Sequence, residues 1–212
     1  MFERGSMRKE YQMKILHLDS SVTGANSVSR PLSKATTEQL VKSNPGAEVV
    51  YRDLVGEPLS HYTAVLRVHG ADFVAVTPEQ KNELAMGEEI LAEFLAAEVV
   101  VVGAPMYNFG IPSQLKAWID LICVAGKTFS YATGAPVGMC GGKKVILVST
   151  RGGAYAAGSP YEAADFQEKY LKTVFGFIGV TDISVIRAEG LGRGGDVAKA
   201  AVESAHAEIA KL

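Results

Sequence analysis

The segment from Glu98 to Lys116 constrains this chain most. It begins with four consecutive valines, Val99 to Val102. A run that short, without alternation, suits a strand covered on both faces, as in a parallel sheet. The chain then turns through Pro105, Asn108 and Gly110, and Pro112 suits the first position of a helix. Leu115, Trp118, Ile119 and Ile122 recur at helical spacing, so that helix should lie on the sheet. Open α/β sheets bind ligands beyond the carboxyl ends of their strands, where the Met106–Phe109 loop falls. Tyr107 and Phe109 are flat and apolar, and Asn108 both donates and accepts hydrogen bonds. This combination suits a planar heteroaromatic ligand better than a sugar or a metal.

Four further strands surround this one. Lys14–Asp19 and Ala47–Asp53 precede it, and Lys143–Thr150 and Thr181–Arg187 follow. Helices are expected over Val28–Ser43, from Thr77 onward, over Glu162–Phe177 and over Asp196–Lys211. Thr77-Pro78-Glu79-Gln80 carries a cap, a proline and a capping-box glutamine. Phe166 is placed on the apolar side of its helix, as are Leu95 and Val197 on theirs. Regular alternation of strand and helix implies a doubly wound α/β fold, flavodoxin-like in strand order, 2-1-3-4-5. In that order the loops after strands 1, 3 and 4 meet in one crevice.

The first of these loops is rich in hydroxyls, with Ser21, Ser27 and Ser29 leading into a helix. Amide groups and the helix macrodipole make such a place a phosphate site; Asn26 or Ser27 as a plain N-cap is the competing reading. The third loop is Thr150-Arg151-Gly152-Gly153. Its glycines let backbone amides approach a ligand, and Arg151 brings a permanent charge or a surface ion pair. Gly126–Gly142 reads as a flap carrying Phe129 and Tyr131, either over substrate or as loop anchors.

Other readings fall away. Gly190 to Gly195 matches GxGxxG, but the 17 residues after it leave no room for a βαβ unit. His61 and His69 lack an obvious third ligand, so no metal is expected. A net charge of −2 gives no reason to expect a nucleic-acid or membrane partner. No apolar stretch approaches the ~20 residues of a membrane span. Residues 1–12 read as a loose extension and 13–212 as one domain. Two cysteines without a CxxC, and no signal-peptide core, point to the cytoplasm.

Ala104-Pro-Met-Tyr-Asn-Phe109 followed by Ile111-Pro-Ser-Gln-Leu-Lys116 resembles the signature of FMN-dependent NADH-azoreductases and related NADH:quinone oxidoreductases. The likeness extends to Ser27-Val-Ser29, Gly126-Lys-Thr-Phe129, Thr150-Arg-Gly-Gly153 and Ala188-Glu-Gly190, and covers nearly all of the chain from Met13. It implies a bound FMN with NADH as donor, and a quinone or azo compound as acceptor. Ser21, Ser27 and Ser29 would then hold the phosphate, and Met106, Tyr107, Asn108 and Phe109 would line the ring. Thr150, Arg151, Gly152 and Gly153 would meet the ring's polar edge, with Phe129 and Tyr131 on the substrate side. The resemblance also implies a homodimer with the site near the interface, and a reaction carried by the cofactor without a catalytic side chain. A flavodoxin-type electron carrier is the alternative on the same fold.

Overall fold

The computed structural model describes residues 12–67 and 77–212. Apart from Gln12 the expected extension lies outside these residues, and so does His69. Five parallel strands form the sheet: β1 (Lys14–Asp19), β2 (Glu48–Asp53), β3 (Val99–Pro105), β6 (Lys144–Thr150) and β7 (Asp182–Ala188). Their order is β2-β1-β3-β6-β7, the expected flavodoxin-like arrangement. A separate short hairpin pairs β4 (Phe129–Ser130) with β5 (Val137–Gly138).

All seven residues of β3 are buried. Val100, Val102 and Ala104 face one core, built with Phe94, Trp118 and Phe175. Val99 and Val101 face the other, with Leu32, Ala205 and Ile209. A valine buried this completely contributes about 1.5–3 kcal/mol relative to exposure, so the middle of the sheet is its most firmly fixed part. Helices α3 (Pro78–Ala96), α4 (Ser113–Ile122) and α5 (Gln167–Phe177) cover the first face. The second is covered by α1 (Ser29–Ser43) and α6 (Gly195–Ile209). A single turn, α2 (Ala64–Arg67), lies between β2 and α3.

Gly103 explains how closely β1 and β3 pack. A Cβ there would sit 2.6 Å from Asp19 Oδ1 and 3.2 Å from the Leu18 carbonyl oxygen. The Thr77 capping box forms as expected, with Thr77 and Gln80 bonding each other's backbone N–H.

Several sequence expectations are corrected. Pro112 stands just before α4, not at its first position, because its extended ψ of 144° delays the helix to Ser113. The expected helix from Glu162 breaks into a 3-10 turn (Glu162–Ala164) and then α5. Phe166 is therefore a cap residue, 61% exposed, not part of an apolar face. Leu95 and Val197 also lie exposed. They occupy positions of α3 and α6 that the sheet does not cover. The Gly126–Gly142 segment holds the β4–β5 hairpin, and Gly138 packs its backbone against Gly179 with no room for a side chain.

Candidate functional site

At the carboxyl end of the sheet the three loops meet. One crevice is lined by Ser21, Ser27 and Ser29, by Met106 and Tyr107, and by Thr150, Arg151 and Gly152. It adjoins a second hollow, lined by Met106, Asn108, Phe109, Gly152, Gly153 and Tyr155. Met106 and Gly152 belong to both. Parallel strands of one sheet end at one edge, so their loops have no other place to go.

The first loop builds a small polar socket. Ser21, Ser27 and Ser29 are all buried. Ser27 Oγ and Ser29 Oγ are 3.2 Å apart, and Ser27 Oγ accepts from the Arg30 N–H at 3.2 Å. Ser27 thus does cap α1 to some degree, although the helix formally begins after Val28. The first turn of α1 carries no acidic side chain, so its positive dipole end is not neutralised from within. Arg30 braces the loop from behind. Its Nε and Nη2 donate to the Ser21 carbonyl at 3.3 and 3.0 Å, and its Nη1 and Nη2 meet the Asp53 carboxylate at 2.8 and 2.7 Å. That bidentate bond from Arg30 holds the Asp53 carboxyl below its ordinary range.

The second loop is a two-residue turn. Tyr107 and Gly110 exchange both backbone hydrogen bonds at 3.0 Å. Asn108 and Phe109 between them have φ of 48° and 71°. Two positive φ values are the requirement of a type I′ turn, which glycine and asparagine usually fill. A phenylalanine there stores strain of about 1–3 kcal/mol, and such strain gathers at functional sites. The turn is held from outside: the Phe166 N–H donates to the Phe109 carbonyl at 3.2 Å. Tyr107 reaches into the first loop, where its Oη accepts from the Val22 N–H at 3.1 Å.

The third loop differs from expectation at Arg151. Its side chain has no exposed surface. The guanidinium pairs with Asp165 at 3.1 Å, with Glu189 at 2.9 Å and with Glu168. Its charge is committed to these three carboxylates, so the crevice receives the backbone of Arg151 and not its free cation. Burial raises the Glu168 carboxyl, but the hydrogen bond from Arg187 and the charge of Arg151 outweigh it and hold the group below its ordinary range. The loop is also stitched to the next one. N–H groups of Gly190, Leu191 and Gly192 donate to the carbonyls of Gly153, Arg151 and Gly152 at 2.9, 3.1 and 3.0 Å. The glycine-rich run after β7 is thus a brace for the Gly152–Gly153 loop.

Phe129 and Tyr131 do not join the crevice within one chain. The Phe129 ring lies 4.7 Å from that of Phe177, at the far end of α5. The start of α5 touches the Ala104 carbonyl at the crevice end. Ten residues of helix separate the two by about 15 Å.

Sequence reasoning missed Tyr155 and Leu191, which line the two hollows. Tyr155 sits beside Phe109, ring centres 6.3 Å apart. Its signal was its place just after Gly152-Gly153, hidden among small residues. Among the described residues no group of His, Cys, Asp and Glu is placed to hold a metal ion, and no helix is long and apolar enough to cross a membrane.

Residues 13–212 match the model of a family described as having a flavodoxin-like fold. An FMN-dependent NADH:quinone oxidoreductase of Ralstonia nicotianae is 54% identical over 202 residues, covering 93% of this chain and 95% of the relative. One of the same description from Sinorhizobium fredii is 52% identical over 199 residues, covering 94% and 96%. Among solved structures, an azoreductase from Bacillus anthracis superposes with a TM-score of 0.85 at 31% identity, covering 94% of this chain and 98% of that one. The chain belongs to the flavodoxin-like family of FMN-dependent NADH:quinone oxidoreductases.

Proposed function

We propose that this protein uses FMN and NADH to reduce quinones, and azo compounds as well, in a ping-pong cycle. The observation that carries the reading is the shared crevice, in which a hydroxyl socket adjoins a slot bordered by Met106, Asn108, Phe109 and Gly152. The relatives' names support the cofactor, the donor and the quinone, and the solved neighbour supports the azo acceptor.

The residues present fit FMN. Three buried hydroxyls at the start of an uncompensated helix suit its phosphate. The flat side chains of Tyr107 and Phe109 suit its ring, and we assign the Gly152 and Gly153 amides to its polar edge, where donors stabilise developing charge. When bound, FMN supplies the two-electron hydride chemistry. The chain's part is to fix the ring, to keep water from one side of it and to leave the other open. With one open side, donor and acceptor take turns at it, which is the basis for ping-pong order.

We also propose a homodimer. The hairpin presents exposed Tyr131, with Val137 and Met139 nearby, as an apolar surface far from its own crevice. Phe129 and Tyr131 then serve substrate only across the interface, from a second chain. The free thiols of Cys123 and Cys140 suit the reducing cytoplasm, where we place the protein.

The test is spectroscopic. The purified protein should be yellow, release FMN on denaturation, bleach with NADH under anaerobic conditions and recolour with benzoquinone. A colourless protein that takes up no FMN would end the proposal. A yellow protein that NADH fails to bleach would favour the electron-carrier alternative.

A further inference from the structure

We infer that the Tyr107 hydroxyl is a positioning group for the phosphate socket, and that it sets the preference for phosphorylated over unphosphorylated flavin. The inference rests on the FMN reading above and assigns Tyr107 a second task besides lining the ring.

Tyr107 and Val22 are 85 positions apart and belong to loops after different strands. The phenol oxygen accepts from the Val22 N–H at 3.1 Å and shares a hydrogen bond with Ser21 Oγ at 3.3 Å. Ser21 Oγ in turn bonds Thr23 Oγ1 at 3.0 Å and accepts from the Thr23 N–H at 3.4 Å. The phenol therefore closes a ring of polar groups around Ser21, a buried hydroxyl of the socket. Its other end is equally fixed. The Tyr107 backbone forms both bonds to Gly110, and the turn between them is pinned by Phe166. A tyrosine has only two side-chain torsions, so a pinned backbone and a bound hydroxyl leave it no freedom. The distance between the phosphate socket and the ring slot is then set by the length of one side chain.

Removing the hydroxyl while keeping the ring separates the two tasks. Apo-protein and its Tyr107→Phe variant would be titrated with FMN and with riboflavin, following flavin fluorescence. Losing the phenol's two hydrogen bonds, to the Val22 N–H and Ser21 Oγ, should weaken FMN about tenfold, leave riboflavin unchanged and so shrink the preference for FMN about tenfold. In a Ser21→Ala background the same change should cost less, because one partner of the phenol is already gone. An unchanged preference overturns the inference, whether both flavins weaken together or neither does; joint weakening would mark the hydroxyl as a general support of the loop. A wild-type protein that binds FMN no better than riboflavin would instead bring down the socket reading, and the inference with it.

Discussion

Gln167, the first residue of α5, donates from Nε2 to the carbonyl oxygen of Ala104 on β3, 2.6 Å away. Its Oε1 accepts from Ser149 Oγ at 3.0 Å and from Arg151 Nε at 3.1 Å. One fully buried amide thus joins two strands, a helix and the third crevice loop. Gln167→Leu keeps the volume but takes the amide from all three partners: the Ala104 carbonyl loses its side-chain donor, while Ser149 Oγ and Arg151 Nε keep only each other at 2.9 Å. Each unsatisfied buried group is costly, and the sum should be about 2–3 kcal/mol. Thermal unfolding should shift down by about 4–12 °C in a chain of this size. An unmoved midpoint would show that the amide is not what joins these elements.

Gly103→Ala tests how closely β1 and β3 pack. The new methyl would be 2.6 Å from Asp19 Oδ1, an atom already held by Ser33 Oγ at 2.7 Å. Asp19 Oδ2 is held by the Tyr51 hydroxyl at 3.1 Å, so the carboxylate cannot swing away freely. A loss of about 1–3 kcal/mol is expected, read as a lower urea midpoint. A midpoint equal to wild type would mean that the strands spread without cost.

Acid stability follows from Glu168. Its side chain is 4% exposed, and the partners Arg151 and Arg187 hold its carboxyl below the ordinary 4.5. A carboxyl depressed in the folded state stabilises fully above the unfolded value and loses that contribution as pH falls through the folded one. Wild-type melting should therefore decline as pH drops below about 4.5. Glu168→Gln should start lower at neutral pH and decline less over the acid range. Parallel curves for the two proteins would refute the assignment.

Neither cysteine should react readily in the folded state. Burial, with Asp120 adding to it, pushes the Cys123 thiol up to about 11, and burial raises Cys140 as well. At pH 7 only about one Cys123 in ten thousand is then a thiolate, the form that alkylating reagents attack. Iodoacetamide should label denatured protein quickly and native protein hardly at all. Rapid native labelling would show that these positions open.

The sheet was legible because valine runs and helical spacing report burial directly. Val99–Val102 marks its central strand, and five alternations of strand and helix point to the order that the sheet has. The meeting of three loops followed from that order alone. Local exceptions were not legible. Phe166 fits a helical pattern, yet its N–H is taken by the Phe109 carbonyl and its ring faces outward. Sequence alone leaves Arg151 open between a charge for the crevice and a surface ion pair, because Asp165, Glu168 and Glu189 lie 14, 17 and 38 positions away and only the fold brings them to it. Sequence spacing also says nothing about which end of α5 the hairpin meets, so the distance of Phe129 and Tyr131 from the crevice of their own chain is visible only in the fold.

The bracing of Arg30 by Asp53 has a further consequence. Among the described residues that line the crevice, this leaves hydroxyls and amides but no side chain with an uncommitted cation, since Arg151 is likewise spoken for. An anion settled there is gripped by dipoles at contact range, not drawn in by opposite charge. Added electrolyte shields the second kind of attraction far more than the first. The guest of this socket should stay put in brine that would wash it from a ring of lysines.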